Sequence, residues 1–224
     1  MLKKTKCMVE ELYESSQKGC ASILTTLIQR DALILREVSL TSLKDTPLHI
    51  AALHGHLEFC RLLLSKKPTF AKDVDALGRT PLHLASAEGH IKIVQALLQE
   101  NTDVCLASNR DERIPLHLAA IRGRIEIVKE LISARPESIK VNLNGESVLH
   151  LCVQYNQLDA LKLLVESASG DELFLNSKDH NGNSKLHLAM LTIYLLPHHQ
   201  TLTLSQQPSC KRFVLLLDIL QLLI

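Results

Sequence analysis

The chain has few aromatic residues: Phe, Tyr and Trp make up 3% of the sequence, and Trp does not occur. A β-sandwich depends on aromatic and β-branched side chains, so this scarcity, together with abundant Leu and Ala, favours packed helices. A net charge is nearly absent too, at +1 for 224 residues. The composition therefore predicts an all-α protein with no general electrostatic attraction to nucleic acid or anionic membranes.

Clustered cysteines and long apolar runs are also missing. The six cysteines lie far apart with no C-x-x-C pair, which argues against a zinc framework or a dense disulfide scaffold. The basic N-terminus is not followed by an apolar stretch, and no run reaches the ~18 apolar residues needed to span a membrane. We therefore expect a cytoplasmic protein with reduced thiols and no transmembrane span.

No pattern typical of an active site occurs. Both G-x-S-x-G and G-x-x-x-x-G-K-[ST] are absent, and Cys60 and Cys152 fall where a helix needs apolar packing. We predict a non-enzymatic chain without metal or cofactor. The alternative is a metal-dependent or hydrolytic enzyme, for which the candidate surface ligands are His54, His56, His198 and His199.

The sequence does contain an internal repeat. Its five clearest copies start with TPLHIAALHGH at Thr46, TPLHLASAEGH at Thr80, IPLHLAAIRGR at Ile114, SVLHLCVQYNQ at Ser147 and SKLHLAMLTIY at Ser184. The steps between them are 34, 34, 33 and 37 residues, and a degenerate copy, LYESSQKGC, precedes them at a step of 36. This periodicity predicts stacked units, each burying its apolar face against the next.

The copy that starts at Thr80 shows what one unit should form. Thr80 can cap a helix that begins at the following Pro, and Gly89 can end that helix in the left-handed conformation. IKIVQALLQE then has the apolar spacing of a second, amphipathic helix, while Asp75 and Gly78 suit a hairpin-like loop before the copy. In the fourth signature Asn156 takes the Gly position, where Asn is expected to adopt the same conformation.

These boundaries predict three regions: an N-terminal tail (1–11), a repeat array (12–190) and a divergent C-terminal tail with an apolar terminal helix (191–224). Within the array the predicted repeats are 12–45, 46–79, 80–113, 114–146, 147–183 and the start of an incomplete last copy, 184–190. Two origins stay open for the segment after Met190: a cap over the last repeat, or a truncated or alternatively spliced end.

The period and the T-P-L-H and G-H signatures resemble those of ankyrin repeats over roughly residues 12–190. The resemblance implies an all-α solenoid of about five to six helix-turn-helix repeats joined by hairpin-like loops, acting as a protein–protein interaction scaffold. It also implies a structural, hydrogen-bonding role for the signature histidines. The structural motif residues are Thr46, Pro47, Leu48, His49, Gly55, Thr80, Pro81, Leu82, His83, Gly89, Pro115, Leu116, His117, Gly123, His150 and His187.

A narrower resemblance is carried by IQRDALILREVSLTSLKDTPLHIAALHGH, SVLHLCVQYNQ and KDHNGNSKLHLA. These segments are similar to plant ankyrin proteins that carry a C-terminal PGG membrane domain, which this sequence lacks. The resemblance implies an adaptor in intracellular signalling, in plant defence or stress responses. The alternative is a truncated regulator that associates with membrane-anchored relatives at the plasma membrane.

Ankyrin proteins bind partners through their hairpin tips and the exposed face of the first helix of each repeat. Carried over by register, the implied partner-binding residues are Ser42, Leu43, Asp45, Leu53, His54, Val74, Ala76, Leu77, Arg79, Ala87, Glu88, Arg110, Asp111, Arg113, Ile121, Arg122, Leu143, Asn144, Glu146, Gln154 and Tyr155. Tyr155 and the arginines are the residue types that most often dominate binding energy. The identity of the partner is left open.

Overall fold

The described residues form α-helices and short 3₁₀ turns, and no β-strand occurs among them. They comprise residues 2–40, 45–141 and 147–168 of a computed structural model. The helical repeat architecture confirms the predicted all-α fold. Contacts between Cα atoms divide the chain into two units, residues 1–115 and 116–224.

The first unit contains seven α-helices within its described residues. They are α1 (Leu2–Lys18), α2 (Ala21–Arg30), α3 (Ile34–Leu40), α4 (Pro47–His54), α5 (Leu57–Lys66), α6 (Pro81–Glu88) and α7 (Ile91–Glu100). Two 3₁₀ turns follow the second helix of a repeat, Pro68–Ala71 after α5 and Thr102–Leu106 after α7. The repeats that contain α4 to α7 thus each supply a helix pair and a short turn.

The short first helices begin where the sequence predicts. Thr46 and Thr80 precede α4 and α6 in extended conformation, and Pro occupies the first helical position in both. Gly89 ends α6 with a φ of 98°, a left-handed conformation that costs Gly little. Two residues, a Gly and a His, separate the second helix from the first in both pairs, so each pair is a tight hairpin.

The helix pairs of the first unit pack in two layers. In one layer α1 packs against α4 and α4 against α6, and in the other α2 packs against α5 and α5 against α7. Leu48 and Leu82 of the first layer and Phe59, Leu63 and Leu97 of the second are fully buried. Stacking therefore hides the apolar faces that one pair alone would expose.

The degenerate first copy also forms a helix pair, but it departs from the prediction at its N-terminus. The residues assigned to a tail, 2–11, belong to α1. The reason is that Met8 and Val9 are buried on the same helix face as Leu12, which favours one continuous helix. The longer step to the next copy falls at α3, a seven-residue helix where later repeats have a four- or five-residue 3₁₀ turn.

The second unit contains the remaining described helices. These are α8 (Pro115–Ile121, whose first residue belongs to the first unit), α9 (Ile125–Ala134), α10 (Val148–Gln154) and α11 (Leu158–Ser167), with a 3₁₀ turn at Pro136–Lys140. α11 packs against both α9 and α10. The predicted C-terminal tail and the incomplete last copy lie outside the described residues.

Candidate partner-binding surface

The loop before α6, here called the Asp75 tip (residues 74–79), is held together by one carboxylate. Asp75 Oδ1 accepts hydrogen bonds from the backbone N–H groups of Leu77 and Arg79, both at 2.8 Å. Asp75 Oδ2 accepts from Nε of Arg79 at 2.6 Å. Burial alone would raise the pKa of Asp75, but these bonds outweigh it and lower the pKa below its usual value. The carboxylate is therefore a structural element of the loop.

The loop before α8, here called the Asn109 tip (residues 108–113), follows the same backbone path with different side chains. Asn109 Oδ1 accepts from the N–H of Arg113 at 2.8 Å, and Asn109 N donates to the Arg113 carbonyl at 3.0 Å. Glu112 stands where the Asp75 tip has Gly78, and both residues are left-handed, with φ of 58° and 74°. The two tips are joined directly, because Arg110 N donates to the Leu77 carbonyl at 2.9 Å.

Two signature histidines, His49 and His83, connect the first helix of their repeat to the next tip. Thr80 N donates to Nδ1 of His83 at 3.0 Å, and the Thr80 hydroxyl lies 2.8 Å from the same nitrogen. Because a backbone N–H can only donate, Nδ1 is the acceptor, which leaves Nε2 to donate to the Arg113 carbonyl at 3.0 Å. His49 repeats this arrangement with Thr46 and the Arg79 carbonyl.

The imidazoles of this network are held in the neutral form. Burial lowers the pKa of His83 to about 4, and the hydrogen bond to the Arg113 carbonyl offsets only part of this effect. Burial likewise lowers the pKa of His49. The third pair of this kind, Ser147 and His150, shows the same cap in the second unit, with the hydroxyl 2.7 Å from Nδ1. These contacts are structural.

A second set of contacts links consecutive helix pairs at their opposite ends. Nε2 of His56 lies 2.8 Å from the Gln17 carbonyl, and Nε2 of His90 lies 3.1 Å from the Leu53 carbonyl. The approach is close: a Cβ built on Gly55 would lie 2.7 Å from the His90 ring. The His after the helix-ending Gly thus links consecutive helix pairs. Because Nε2 of His56 takes part in this contact, His56 is poorly placed to bind a metal ion.

The predicted partner-binding residues of the first unit all lie at or near the surface. Exposed are Asp45, Leu53, His54, Val74, Ala76, Leu77, Arg110 and Asp111; half-buried are Arg79, Ala87, Glu88 and Arg113. In the second unit Arg122, Gln154 and Tyr155 are exposed, and Ile121 is half-buried. None of the described members of the set is buried.

Part of the prediction lies outside the described residues. This applies to the partner-binding positions Ser42, Leu43, Leu143, Asn144 and Glu146, to the structural position His187 and to the candidate metal ligands His198 and His199. Of the structural motif residues that are described, Thr, Pro, Leu and His members are buried, whereas Gly55, Gly89 and Gly123 are half-buried.

Two features of the tips were missed by reasoning from the sequence. Arg79, assigned to partner binding, has its guanidinium paired with the buried Asp75, so part of its capacity is used within the loop. Glu112 in left-handed conformation is the second. The available signal was its alignment with Gly78: Glu112 lies three residues after Asn109, as Gly78 lies three residues after Asp75.

The cysteines that a catalytic role would require to be reactive are buried in the core. Cys60 and Cys152 are fully buried, and burial raises the pKa of each thiol to about 12, which disfavours the nucleophilic thiolate. In the described residues no group of three or more His, Cys, Asp or Glu side chains could hold a metal ion. None of the described helices is long and apolar enough to cross a lipid bilayer.

Comparison with known proteins agrees with this architecture. The sequence profile of the family described as "Ankyrin repeats (3 copies)" matches residues 12–108 and 105–179, well over half of the chain. No curated protein matches the sequence. The profile covers the degenerate first copy and the helix pairs whose caps, left-handed ends and histidine contacts are described above. The chain belongs to the ankyrin-repeat family.

Proposed function

We propose that this chain is a protein-binding scaffold that holds its partner on the hairpin tips and on the exposed faces of the first helices. Ankyrin repeats are interaction modules, and the chemistry of the described side chains agrees with that role. The buried histidines hold the repeats together by hydrogen bonds and the buried cysteines pack in the core, whereas the tips also carry exposed side chains such as Val74, Leu77 and Arg110. The proposal therefore assigns recognition to the tips and no reaction to the chain.

The position of the exposed apolar side chains carries the proposal. Among the described residues, the large apolar side chains that are exposed are Leu33, Leu53, Val74, Leu77, Leu106 and Tyr155. Four of these six belong to the predicted set. Single exposed apolar residues need no explanation, but a concentration at the positions implied by register supports a binding surface.

In the first unit the two tips offer different chemistry to a partner. The Asp75 tip presents Val74, Ala76 and Leu77, while the Asn109 tip presents the charged Arg110 and Asp111. Because Arg110 N is bonded to the Leu77 carbonyl, the apolar and charged surfaces adjoin. A partner would combine an apolar contact on the first tip with polar contacts on the second.

The first experiment removes the apolar contact. Purified wild-type chain and the double variant Leu53→Ser/Leu77→Ser are used to capture proteins from the source cells, and captured proteins are identified by mass spectrometry. The affinity of the best candidate is then measured with both chains. We expect at least tenfold weaker binding to the variant, because both substitutions remove apolar area that the partner would cover.

The matched control is Leu33→Ser, which removes a leucine that is more exposed than Leu53 or Leu77 and lies outside the predicted set. It should bind like the wild type, and far-UV circular dichroism should show all three chains folded. Equal loss with the control, or no loss with the double variant, would show that the partner binds elsewhere. Arg122→Ala/Tyr155→Ala tests the second unit in the same assay.

The finer part of the proposal concerns the pathway. The resemblance to plant ankyrin proteins with a PGG domain supports a role in defence or stress signalling, and it supports membrane-anchored relatives as partners at the plasma membrane. Co-expression with such a relative, followed by fractionation, tests the second idea. The chain should sediment with membranes only when the relative is present, and equal distribution with and without it would exclude this pairing.

A further inference from the structure

The Asn109 tip lacks several supports that the Asp75 tip has. The first is a residue suited to its backbone. Gly78 and Glu112 both have positive φ, but an L-residue with a side chain pays a steric penalty in this conformation that Gly does not. Glu112 is therefore strained at a position where the neighbouring tip is relaxed.

The second missing support is a charged acceptor. Asp75 accepts three hydrogen bonds within its tip, including one from the Arg79 guanidinium. Asn109 stands in the same place, but its Oδ1 accepts from the Arg113 N–H. A neutral amide oxygen is a weaker acceptor than a carboxylate, and the aligned Arg113 has no carboxylate in that position to pair with.

The third difference lies at the residue after each tip. Thr80 places its hydroxyl 2.8 Å from Nδ1 of His83 and caps α6, which ties the end of the Asp75 tip to the helix start. Ile114 stands in this position after the Asn109 tip and has no hydroxyl to offer. The three differences thus fall within six consecutive residues.

We propose that the Asn109 tip is a conformational switch element: it opens locally while the Asp75 tip and the helices of the first unit stay folded. Opening breaks the bond from Asn109 N to the Arg113 carbonyl and releases that carbonyl from Nε2 of His83. It also frees Arg110 from the Leu77 carbonyl. The residues set free include the charged ones assigned to recognition, so a partner that binds the closed tip would also order it.

Amide hydrogen exchange by NMR tests this directly. The amides of Arg79 and Arg113 are a matched pair, since each donates at 2.8 Å to a side-chain oxygen, that of Asp75 or that of Asn109. Leu97, in the middle of α7, reports opening of the whole unit. After correction for intrinsic rates, Arg113 should exchange about 5- to 30-fold faster than Arg79, the range that follows from the left-handed strain. Equal protection of the two amides would overturn the proposal.

Variants identify the cause. Glu112→Gly should slow exchange at Arg113 about fivefold, and Asn109→Asp should slow it further, with Leu97 unchanged. In the reciprocal direction, Asp75→Asn should accelerate exchange at Arg79. If Glu112→Gly leaves the Arg113 rate as it was, strain is not the origin of the opening and the proposal fails.

Native-state proteolysis gives a second readout that does not depend on NMR assignment. Within residues 45–141, trypsin should cut first after Arg110 or Arg113, and the cleavage rate there should fall in the Glu112→Gly chain by a factor similar to that seen in exchange. First cleavage after Arg79, with the Asn109 tip intact, would contradict the proposed order of opening.

Discussion

The Asp75 and Asn109 tips follow the same backbone path with different local support. The first has a carboxylate, a left-handed Gly and a following Thr; the second has an amide, a left-handed Glu and a following Ile. Glu112 nevertheless reaches a φ of 58°, close to the 74° of Gly78. Stacking, through His83 and through the bond between adjacent tips, therefore imposes the loop geometry even where local side chains oppose it.

The largest expected effect comes from removing the residue that links the two tips. His83→Ala leaves the buried N–H and hydroxyl of Thr80 without their acceptor, and it removes one donor to the Arg113 carbonyl. We expect a loss of about 4 kcal/mol in the free energy of unfolding. Urea unfolding followed by far-UV circular dichroism measures it.

The control for this substitution is His90→Ala, since His90 is half-buried and bonds a single carbonyl of the preceding helix pair. It should cost about 1 kcal/mol. Similar losses for the two histidines would mean that the network around Nδ1 of His83 contributes little.

Acid should weaken the same network. His83 has a pKa of about 4 in the folded chain and an ordinary value of 6.5 when unfolded, so above pH 6.5 both states are neutral. Between pH 6.5 and 4 the unfolded chain binds the proton and the folded chain does not, so stability falls as pH falls, by about 3 kcal/mol in all. Below pH 4 the folded state is protonated too, and this contribution levels off.

Urea unfolding at several pH values between 7.5 and 4 measures this dependence, and His83→Gln is the comparison chain. The variant should show a shallower decline over the same window. The lowered pKa of Asp75 acts in a separate, more acidic range, because a carboxylate with a depressed pKa stabilises above its ordinary value near 3.8. Identical slopes for wild type and variant would assign the acid sensitivity to other groups.

A smaller change should raise the free energy of unfolding, because the copy that starts at Thr80 contains a buried polar group without a partner among the described residues. The Ser86 hydroxyl is fully buried and has no hydrogen-bond partner among the described residues. The aligned residues in the copies that start at Thr46 and Ile114 are Ala52 and Ala120. Ser86→Ala should therefore stabilise by about 1 kcal/mol, as a higher urea midpoint with unchanged slope. The reverse change, Ala52→Ser, should destabilise, and a midpoint that falls in Ser86→Ala would reveal a hidden partner.

The smallest change in stability should come from placing a hydroxyl at the start of the copy that begins with Ile114. Ile114→Thr adds a cap worth about 1 kcal/mol at the start of α8, but it removes buried apolar area, since Ile114 is fully buried. At about 0.8 kcal/mol for each buried carbon group that is lost, the two effects nearly cancel, so we expect a melting temperature close to that of the wild type in a thermal scan. A lower melting temperature would show that apolar packing outweighs the cap at this position.

Much of the helical fold could be predicted because its signals are local. Thr80 followed by Pro81 predicts a helix start, and Gly89 predicts its end; both are confirmed. Asn156 has a φ of 55°, as its position in the signature indicates. By contrast, the helical state of residues 2–11 depends on Met8 and Val9 finding a buried surface, which local propensity does not reveal.

The candidate surface was predictable only in part, for a similar reason. Register predicts which residues can lie at a tip, and the exposure of Leu53, Val74 and Leu77 agrees with it. Register does not predict whether a side chain at the surface is already engaged. Arg79 is bonded to Asp75, and this contact depends on the loop closing as it does.

The repeating unit is encoded locally: its period, its capped first helix and the apolar face that makes neighbours stack can all be read from the residues. The conformation of Glu112 and the protonation state of His83 arise only when the repeats are stacked. The physical reason is that both depend on groups about thirty residues away in the chain, across the stacked repeats. Burial by the stacked repeats outweighs the preference of the imidazole for water, and the hydrogen bonds between the tips outweigh the preference of a glutamate for right-handed backbone.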